Sequence, residues 1–345
     1  MKKTTKLTAL LLALVLSLSL AACSGKPGAE SSAPAESKSG ESAQPSAAPA
    51  GDETYVVGIC QLLPHDALNA ATQGFKDALK EEFGDSVEIK EGNAGGEPTN
   101  CTTIIDGFIA EDVDLILANA TPALTAAASA TDTIPILGTS ITNYGIALDL
   151  DSTEDKVLGG NISGTSDLAP LDQQAAMVKE LFPDAKNVGL VYCSAEANSM
   201  YQVETIQGHL EGLGYTCTQY AFTDVNDLAS VVQTACDASD VLYIPTDNTA
   251  ADNKETIANV VVPAKVPVIC GEAGICSGCG VATLSISYYE IGWMAGEMAA
   301  QILKGEKSVS ELPIGFDTTL DKMYNPTICE QLGLTMPEGY APIGG

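Results

Sequence analysis

Val113-Asp114-Leu115-Ile116-Leu117, then Thr121-Pro122, a helical stretch, and Ile134-Pro135-Ile136-Leu137-Gly138 form one strand, helix and strand unit. Ser239-Asp240-Val241-Leu242-Tyr243, then Thr246-Asp247, a second helical stretch, and Val266-Pro267-Val268-Ile269-Cys270-Gly271 repeat that order later in the chain. Each copy places a short apolar run, too brief for a helix, before polar turn residues and an amphipathic segment. Strands joined in this way need a crossover and pair in parallel. The echo implies two halves of one design.

The same alternation extends outward from both copies. Strand-like runs at 55–60, 87–89, 115–118 and 134–137 are separated by helical stretches at 66–83, 99–110 and 122–130. A second series has strands at 188–192, 216–221, 241–244 and 266–269, with helices at 171–181, 199–213, 227–236 and 251–262. The fold class that follows is α/β, with two doubly wound parallel-sheet lobes joined by a multi-crossing hinge. After a strand at 281–285, a helix at 288–303 carries Ile291, Ala295, Met298 and Ile302 on one face, and a short strand follows at 312–316. The expected division is 52–166 with 283–309 in the first lobe, and 167–282 with 310–345 in the second lobe and hinge return. Several crossings suit lobes that close on one another. Ligands of open parallel sheets bind beyond the carboxyl ends of the strands, so facing lobes would share one cleft.

The N-terminal residues define the compartment. Lys2, Lys3 and Lys6 precede an apolar run that ends in Ala21-Ala22-Cys23, and from residue 7 to residue 22 it spans 16 residues. A membrane-crossing helix needs roughly 20, so 1–22 reads as a removable secretory signal. Residues 24–51 are rich in Ser, Ala, Pro, Gly and Glu and lack aromatic and β-branched side chains. Such a segment buries too little apolar surface to order and reads as a tether. Without the signal, the 16 cationic residues fall to 13 against 45 acids, a formal charge of −32. Phosphate backbones and anionic headgroups are repelled by that balance, which excludes nucleic acid and leaves a lipid as the membrane contact.

No arginine occurs anywhere in the chain. A ligand carboxylate must then be held by hydroxyls, backbone N–H groups or helix N-termini rather than by a guanidinium fork. Cys276-Ser277-Gly278-Cys279 is a lone CxxC pair; a zinc ribbon requires a second, and His65 and His209 are far apart. No metal or cofactor is expected, and the pair reads as a local disulfide or two idle thiols. Cys60, Cys101, Cys193, Cys217 and Cys236 lie in apolar surroundings as small core residues. No G-x-S-x-G elbow, H-E-x-x-H pair or P-loop appears, so a lipid-anchored hydrolase would lack a supported nucleophile and base.

At Leu20-Ala21-Ala22-Cys23 the sequence resembles the lipobox of bacterial lipoproteins, which implies lipidation of Cys23 and attachment to the outer face of the cytoplasmic membrane. Gly58-Ile59-Cys60-Gln61-Leu62-Leu63-Pro64-His65-Asp66-Ala67-Leu68, Ala120-Thr121-Pro122-Ala123, and Gly160-Asn161-Ile162-Ser163-Gly164-Thr165-Ser166-Asp167 also resemble a family. With Glu196-Ala197-Asn198-Ser199, Pro245-Thr246-Asp247-Asn248 and Tyr288-Tyr289-Glu290-Ile291-Gly292, the likeness is to ABC-transporter substrate-binding proteins of the tryptophan- and tyrosine-uptake type. The resemblance implies a type I periplasmic-binding fold, a monomer, an aromatic or other apolar amino acid as ligand, ABC permease subunits as partners, and no catalysis. Cys193-Ser194, in place of an Asn-Pro-like pair, and Asn143-Tyr144, in place of Asp-Pro, depart from the pattern near the cleft. A ligand-sensing lipoprotein that serves a signalling partner shares these features; a permease and ATPase encoded alongside would separate the two.

Candidate ligand residues follow the strand ends. Thr121 reads as a helix cap with Pro122 at the first helical position, or as a carboxylate site at that helix N-terminus. Asn198 and Ser199 follow the same logic, while Thr139 and Ser140 offer hydroxyls or simple loop polarity. Asp247, beside Asn248, reads as a helix cap or as the counter-charge to a ligand ammonium. Glu196 and Glu272 are further candidates for that ammonium, or solvated loop acids. Leu62, Pro64 and Tyr144 would wall an apolar pocket or pack ordinarily, and His65, beside Pro64, reads as a ligand contact or as a structural residue at a helix start.

Overall fold

The computed structural model describes residues 54–150 and 157–344. The signal, Cys23 and the tether lie outside the described residues. In chain order the first series is β1 (Tyr55–Gln61), α1 (Asp66–Phe83), β2 (Val87–Asn93), α2 (Pro98–Ala110), β3 (Leu115–Asn119), α3 (Thr121–Ala130), β4 (Ile136–Ile141), α4 (Tyr144–Leu148) and β5 (Ile162–Ser166). The second is α5 (Leu171–Leu181), β6 (Asn187–Cys193), α6 (Ala197–Gly212), β7 (Thr216–Phe222), α7 (Val225–Ala238), β8 (Val241–Ile244), α8 (Asn248–Asp252), α9 (Lys254–Ala264), β9 (Val268–Cys270), α10 (Ala273–Cys279) and β10 (Ala282–Ser285). The chain ends with α11 (Tyr288–Leu303), β11 (Gly315–Phe316), β12 (Asp321–Tyr324), α12 (Pro326–Leu332) and β13 (Ala341–Pro342).

Two sheets result, ordered β11-β5-β4-β3-β1-β2 and β13-β12-β10-β9-β8-β6-β7. Their first five strands share one order, second-first-third-fourth-fifth, which is what the repeated sequence unit implies. All pairings are parallel except β10 with β12. Side chains alternate across each sheet as a period of two requires. Val57, Ile59, Leu115 and Leu117 face Phe75, Leu79, Ala295 and Ala299 of α1 and α11, whereas Cys60, Ile116 and Ala118 face Ile105, Phe108 and Leu124 of α2 and α3. In the second sheet Leu242, Ile244 and Val268 meet α7, α9 and α10, and Leu190, Tyr243 and Ile269 meet α5 and α6.

The sequence-based boundaries differ from the strand placement at both late crossings. β10, expected from residue 283 on in the first lobe, hydrogen-bonds to β9 in the second sheet, and β11, expected in the second, pairs with β5 in the first. The chain therefore passes between the sheets at 167–170, 286–287 and 317–320. Strand β5 escaped the periodicity reading because its Ser163, Thr165 and Ser166 are polar. They are nonetheless buried, with Ser163 Oγ donating to the Leu312 carbonyl at 2.9 Å and Thr165 Oγ1 to the Ile291 carbonyl at 3.0 Å.

Small residues set how closely α1 and α11 approach. A Cβ on Gly74 would stand 2.1 Å from the Tyr289 carbonyl oxygen, and one on Gly292 would stand 2.0 Å from that of Ala71. The nine cysteines of the described residues are free thiols, and all but Cys217 are buried. Cys276 and Cys279 both lie on α10 in the second core.

Candidate functional site

The strand ends of both lobes converge on one closed cleft. His65 and Leu68 of the α1 start, Ser140 and Thr142 at the end of β4, Asp167 after β5, and Tyr288 at the start of α11 form one side. Asn198, Thr246, Asp247, Asn248, Ala251 and Glu272 form the other. The space left between them is about 10 Å³, roughly room for one water molecule, so the lobes must part to admit a solute. Contacts across the cleft hold them together: His65 Nε2 lies 3.2 Å from Asn248 Oδ1, and Lys254 Nζ lies 2.5 Å from Asp66 Oδ2.

Local structure aims these groups. Between Gly138 and Ile141 the pairing of β4 with β5 slips by a bulge, and Ser140 takes the left-handed φ of 57°. A bulge turns a strand residue out of its expected facing. Gly164, with φ of 141°, is required alongside, since a Cβ there would stand 2.0 Å from the Gly138 carbonyl oxygen. The Ser140 hydroxyl is buried with no partner among the described residues, and so is His65 Nδ1.

Four carboxylates gather here with no lysine in the lining. Glu196 accepts from the Thr249 and Asn248 amides at 2.8 and 3.0 Å, and from three side chains, those of Thr249, Asn248 and Asn198. Asp247 accepts from the Ala250 amide at 2.8 Å and the Cys193 amide at 2.7 Å; burial, then the Glu196 charge, pushes its carboxyl up. Glu272 caps α10 through the Ile275 and Gly274 amides, and burial pushes it up to about 7 against those bonds. Asp167 accepts from Thr142 Oγ1 at 2.9 Å and the Tyr288 hydroxyl at 3.0 Å, and burial raises it as well. Burial also holds His65 below its ordinary value, outweighing its bond to Asn248 and the nearby Glu196, Asp252 and Asp66 charges.

Of the expected residues, Ser140, Asn198, Asp247, Asn248 and Glu272 line the cleft, and Glu196 stands beside it. Thr121 does not cap α3. Ala120, with φ of 88°, turns the chain one residue earlier, so Thr121 is the first helical residue. It faces an outer groove of about 600 Å³ shared by Pro98, Thr102, Pro122, Thr125 and Ala195–Asn198, which meets the cleft at Asn198. Thr139 is turned inward and accepts from Thr165 Oγ1 at 3.1 Å, because the bulge at Ser140 separates the two hydroxyls. Ser199 is buried behind Asn198 and beside Asp247. Leu62 packs in the first core, Pro64 is exposed, and Tyr144 donates to the Thr165 carbonyl in a separate pocket, so the apolar wall is Leu68, Ala251 and Tyr288 instead. Thr142, Asp167, Thr246 and Tyr288 were not anticipated. The strand-end rule would have found Asp167 had β5 been recognised.

Residues 56–341 match the family model described as ABC transporter substrate binding protein. This chain belongs to the ABC transporter substrate-binding protein family. It is a substrate-binding component of an importer, and the family is one of binding proteins rather than enzymes. The tyrosine-binding protein of Clostridioides difficile (strain R20291) is 33% identical over 326 residues, 93% of this chain and 90% of that protein. Among solved structures, the ABC domain in complex with L-Trp from Streptococcus pneumonia matches with a TM-score of 0.79 and 30% identity, covering 84% of this chain and 100% of that one. A ligand-free, open substrate-binding protein with adhesive properties from Clostridium difficile matches at 0.66 and 32% identity, covering 84% and 99%. Identity is nearly equal in the two cases, so the lower score for the open structure agrees with the closed setting of the lobes here. The fold is that of the periplasmic-binding proteins, as the resemblance implied.

Proposed function

We infer that the protein captures an aromatic amino acid between its lobes and delivers it to an ABC permease. The observation that carries this reading is the cleft: a buried polar ring from both lobes, acidic and without a lysine, which calls for a ligand that brings its own positive charge. The L-Trp and tyrosine associations of the relatives supply the aromatic side chain, and the outer groove beyond Asn198 offers it apolar room beside Thr121 and Pro122. Ser140, Asn198, Asp247, Asn248, Glu196 and Glu272 form the polar end. The chain works as a monomer that closes on its ligand, exported and tethered to the membrane through lipid on Cys23.

Native mass spectrometry of the purified protein, followed by calorimetry with the twenty amino acids, tests the ligand. Tight binding of L-tyrosine or L-tryptophan is expected; binding of sugars or metal ions alone refutes the reading. Changing Cys23→Ser should move the protein out of the membrane fraction with its affinity unchanged, and persistent membrane association refutes the anchor.

A further inference from the structure

Three of the four cleft carboxylates are already engaged at helix N-termini. Glu196 and Asp247 receive the amides that open α8, and Glu272 receives those that open α10. Backbone N–H groups and the helix dipole compensate a carboxylate at such a position. Asp167 differs. It caps no helix, its partners are the hydroxyls of Thr142 and Tyr288 and its own backbone amide, and it is 4% exposed. Asp167 is thus the cleft carboxylate that no helix N-terminus engages.

Two further acceptors face the same space. Asn248 donates its Nδ2 to Glu196 Oε2 at 2.8 Å, which fixes its amide and leaves Oδ1 toward His65. His65 Nε2 must then carry the proton of that contact, and a neutral ring bears a bare lone pair on Nδ1. That Nδ1 is buried and unpartnered, as is the hydroxyl of Ser140, held there by the bulge. A carboxylate, an imidazole nitrogen and a hydroxyl around one small space match the three N–H donors of an ammonium.

We propose that Asp167, with His65 Nδ1 and Ser140 Oγ, seats the ammonium of the ligand, while Asp247, Glu196 and Glu272, engaged by amides of the second lobe, complete the polar end beside it. The proposal rests on the amino-acid reading for its natural ligand and deepens it. Asp167 lies on the first crossing between the sheets and Tyr288 follows the second. A ligand anchored at the pivot keeps that contact while the lobes swing, and the second lobe then closes over it.

The test is calorimetry with L-tyrosine and L-tryptophan, their 2-hydroxy-acid counterparts, and tyramine and tryptamine. The parent should prefer each amino acid over its hydroxy acid by at least about thirty-fold, the scale of a lost buried charge pair. In Asp167→Asn that preference should collapse while hydroxy-acid affinity stays within about three-fold. Ser140→Ala, which leaves the fold's polar network intact, should weaken amino-acid binding by about five- to ten-fold and serves if the Asp167 variant does not fold. An undiminished preference in Asp167→Asn, or full affinity in Ser140→Ala, overturns the seat and leaves the amino-acid reading standing. A parent that takes the amines but neither amino acid, with the same dependence on Asp167, supports the seat and refutes that reading instead.

Discussion

Gly292→Ala should destabilise this protein although alanine is the better helix former. In an exposed helix the change stabilises by about 1 kcal/mol. On α11 the new Cβ would stand 2.0 Å from the Ala71 carbonyl oxygen and 2.7 Å from its carbon, backbone atoms that no rotamer change displaces. The two helices must then separate along a face that Gly74 and Gly296 also keep close. Overpacking of this kind costs about 1–3 kcal/mol, and a backbone clash sits at the upper end, so the net loss is about 2 kcal/mol after the propensity gain. That lowers the melting temperature by about 4–8 °C. Tyr288 lies one turn earlier on α11, so its hydroxyl should shift from Asp167 and affinity for L-tyrosine should fall with stability. Gly107→Ala is the control, since a Cβ there meets nothing within 4 Å, and it should melt slightly higher than the parent. Thermal melts and calorimetry read both variants. If Gly292→Ala melts at or above the parent while Gly107→Ala behaves as stated, the close-packing argument is wrong.

Glu272 ties stability to pH. Its folded value of about 7 lies above the ordinary 4.5, so the folded state holds the proton longer, and ligand-free stability should decline as pH rises from about 4.5 to about 7. The full effect is of order 3 kcal/mol; Glu272→Gln should flatten that part of the profile in denaturant titrations, and an unchanged slope would count against it. Lys254 and Asp66 stand on opposite lobes, and the Asp66 side chain is 65% exposed, so their ion pair contributes at most about 1 kcal/mol to closure. Lys254→Ala should therefore favour the open form by up to about five-fold and raise the ligand-free radius of gyration in small-angle scattering, with the difference fading near 0.5 M salt. An unchanged radius at low salt refutes this latch.

The fold was legible because its signals are local and redundant. Runs such as 115–118 and Val241–Ile244 are apolar throughout, too short for helices and each followed by a helical stretch, so parallel pairing was the available arrangement. The echo between them implied two halves of one design, and the two sheets use one strand order. What periodicity could not see were strands whose burial is polar. Ile162–Ser166 satisfies its Ser163 and Thr165 hydroxyls on carbonyls about 125 residues and more away, at Leu312 and Ile291, and those partners exist only after α11 has returned to the first sheet. The late crossings were misplaced for a related reason: β10 joins β9 parallel and β12 antiparallel, and nothing in four residues states which sheet they enter.

The site was half legible, and the division is instructive. Asp247 was recognisable as a residue that either caps a helix or meets an ammonium, because both uses select an acid after a strand. Sequence cannot separate them, since the difference lies in whether backbone N–H groups already occupy the oxygens. For Asp247 they come from Ala250, three residues on, and from Cys193, on another strand. The capping role of Thr121 failed for a backbone reason, since the positive φ of Ala120 moves the helix start one residue earlier. Asp167 shows the converse. It stands in a loop with no helix to cap, which in sequence makes it look like a solvated acid, yet its closure between Thr142 and Tyr288 leaves it buried against two hydroxyls and its own amide. In a low-dielectric cleft a carboxylate without a helix N-terminus gains from an incoming cation, so an acid that reads as solvated in the sequence becomes one with an electrostatic reason to bind.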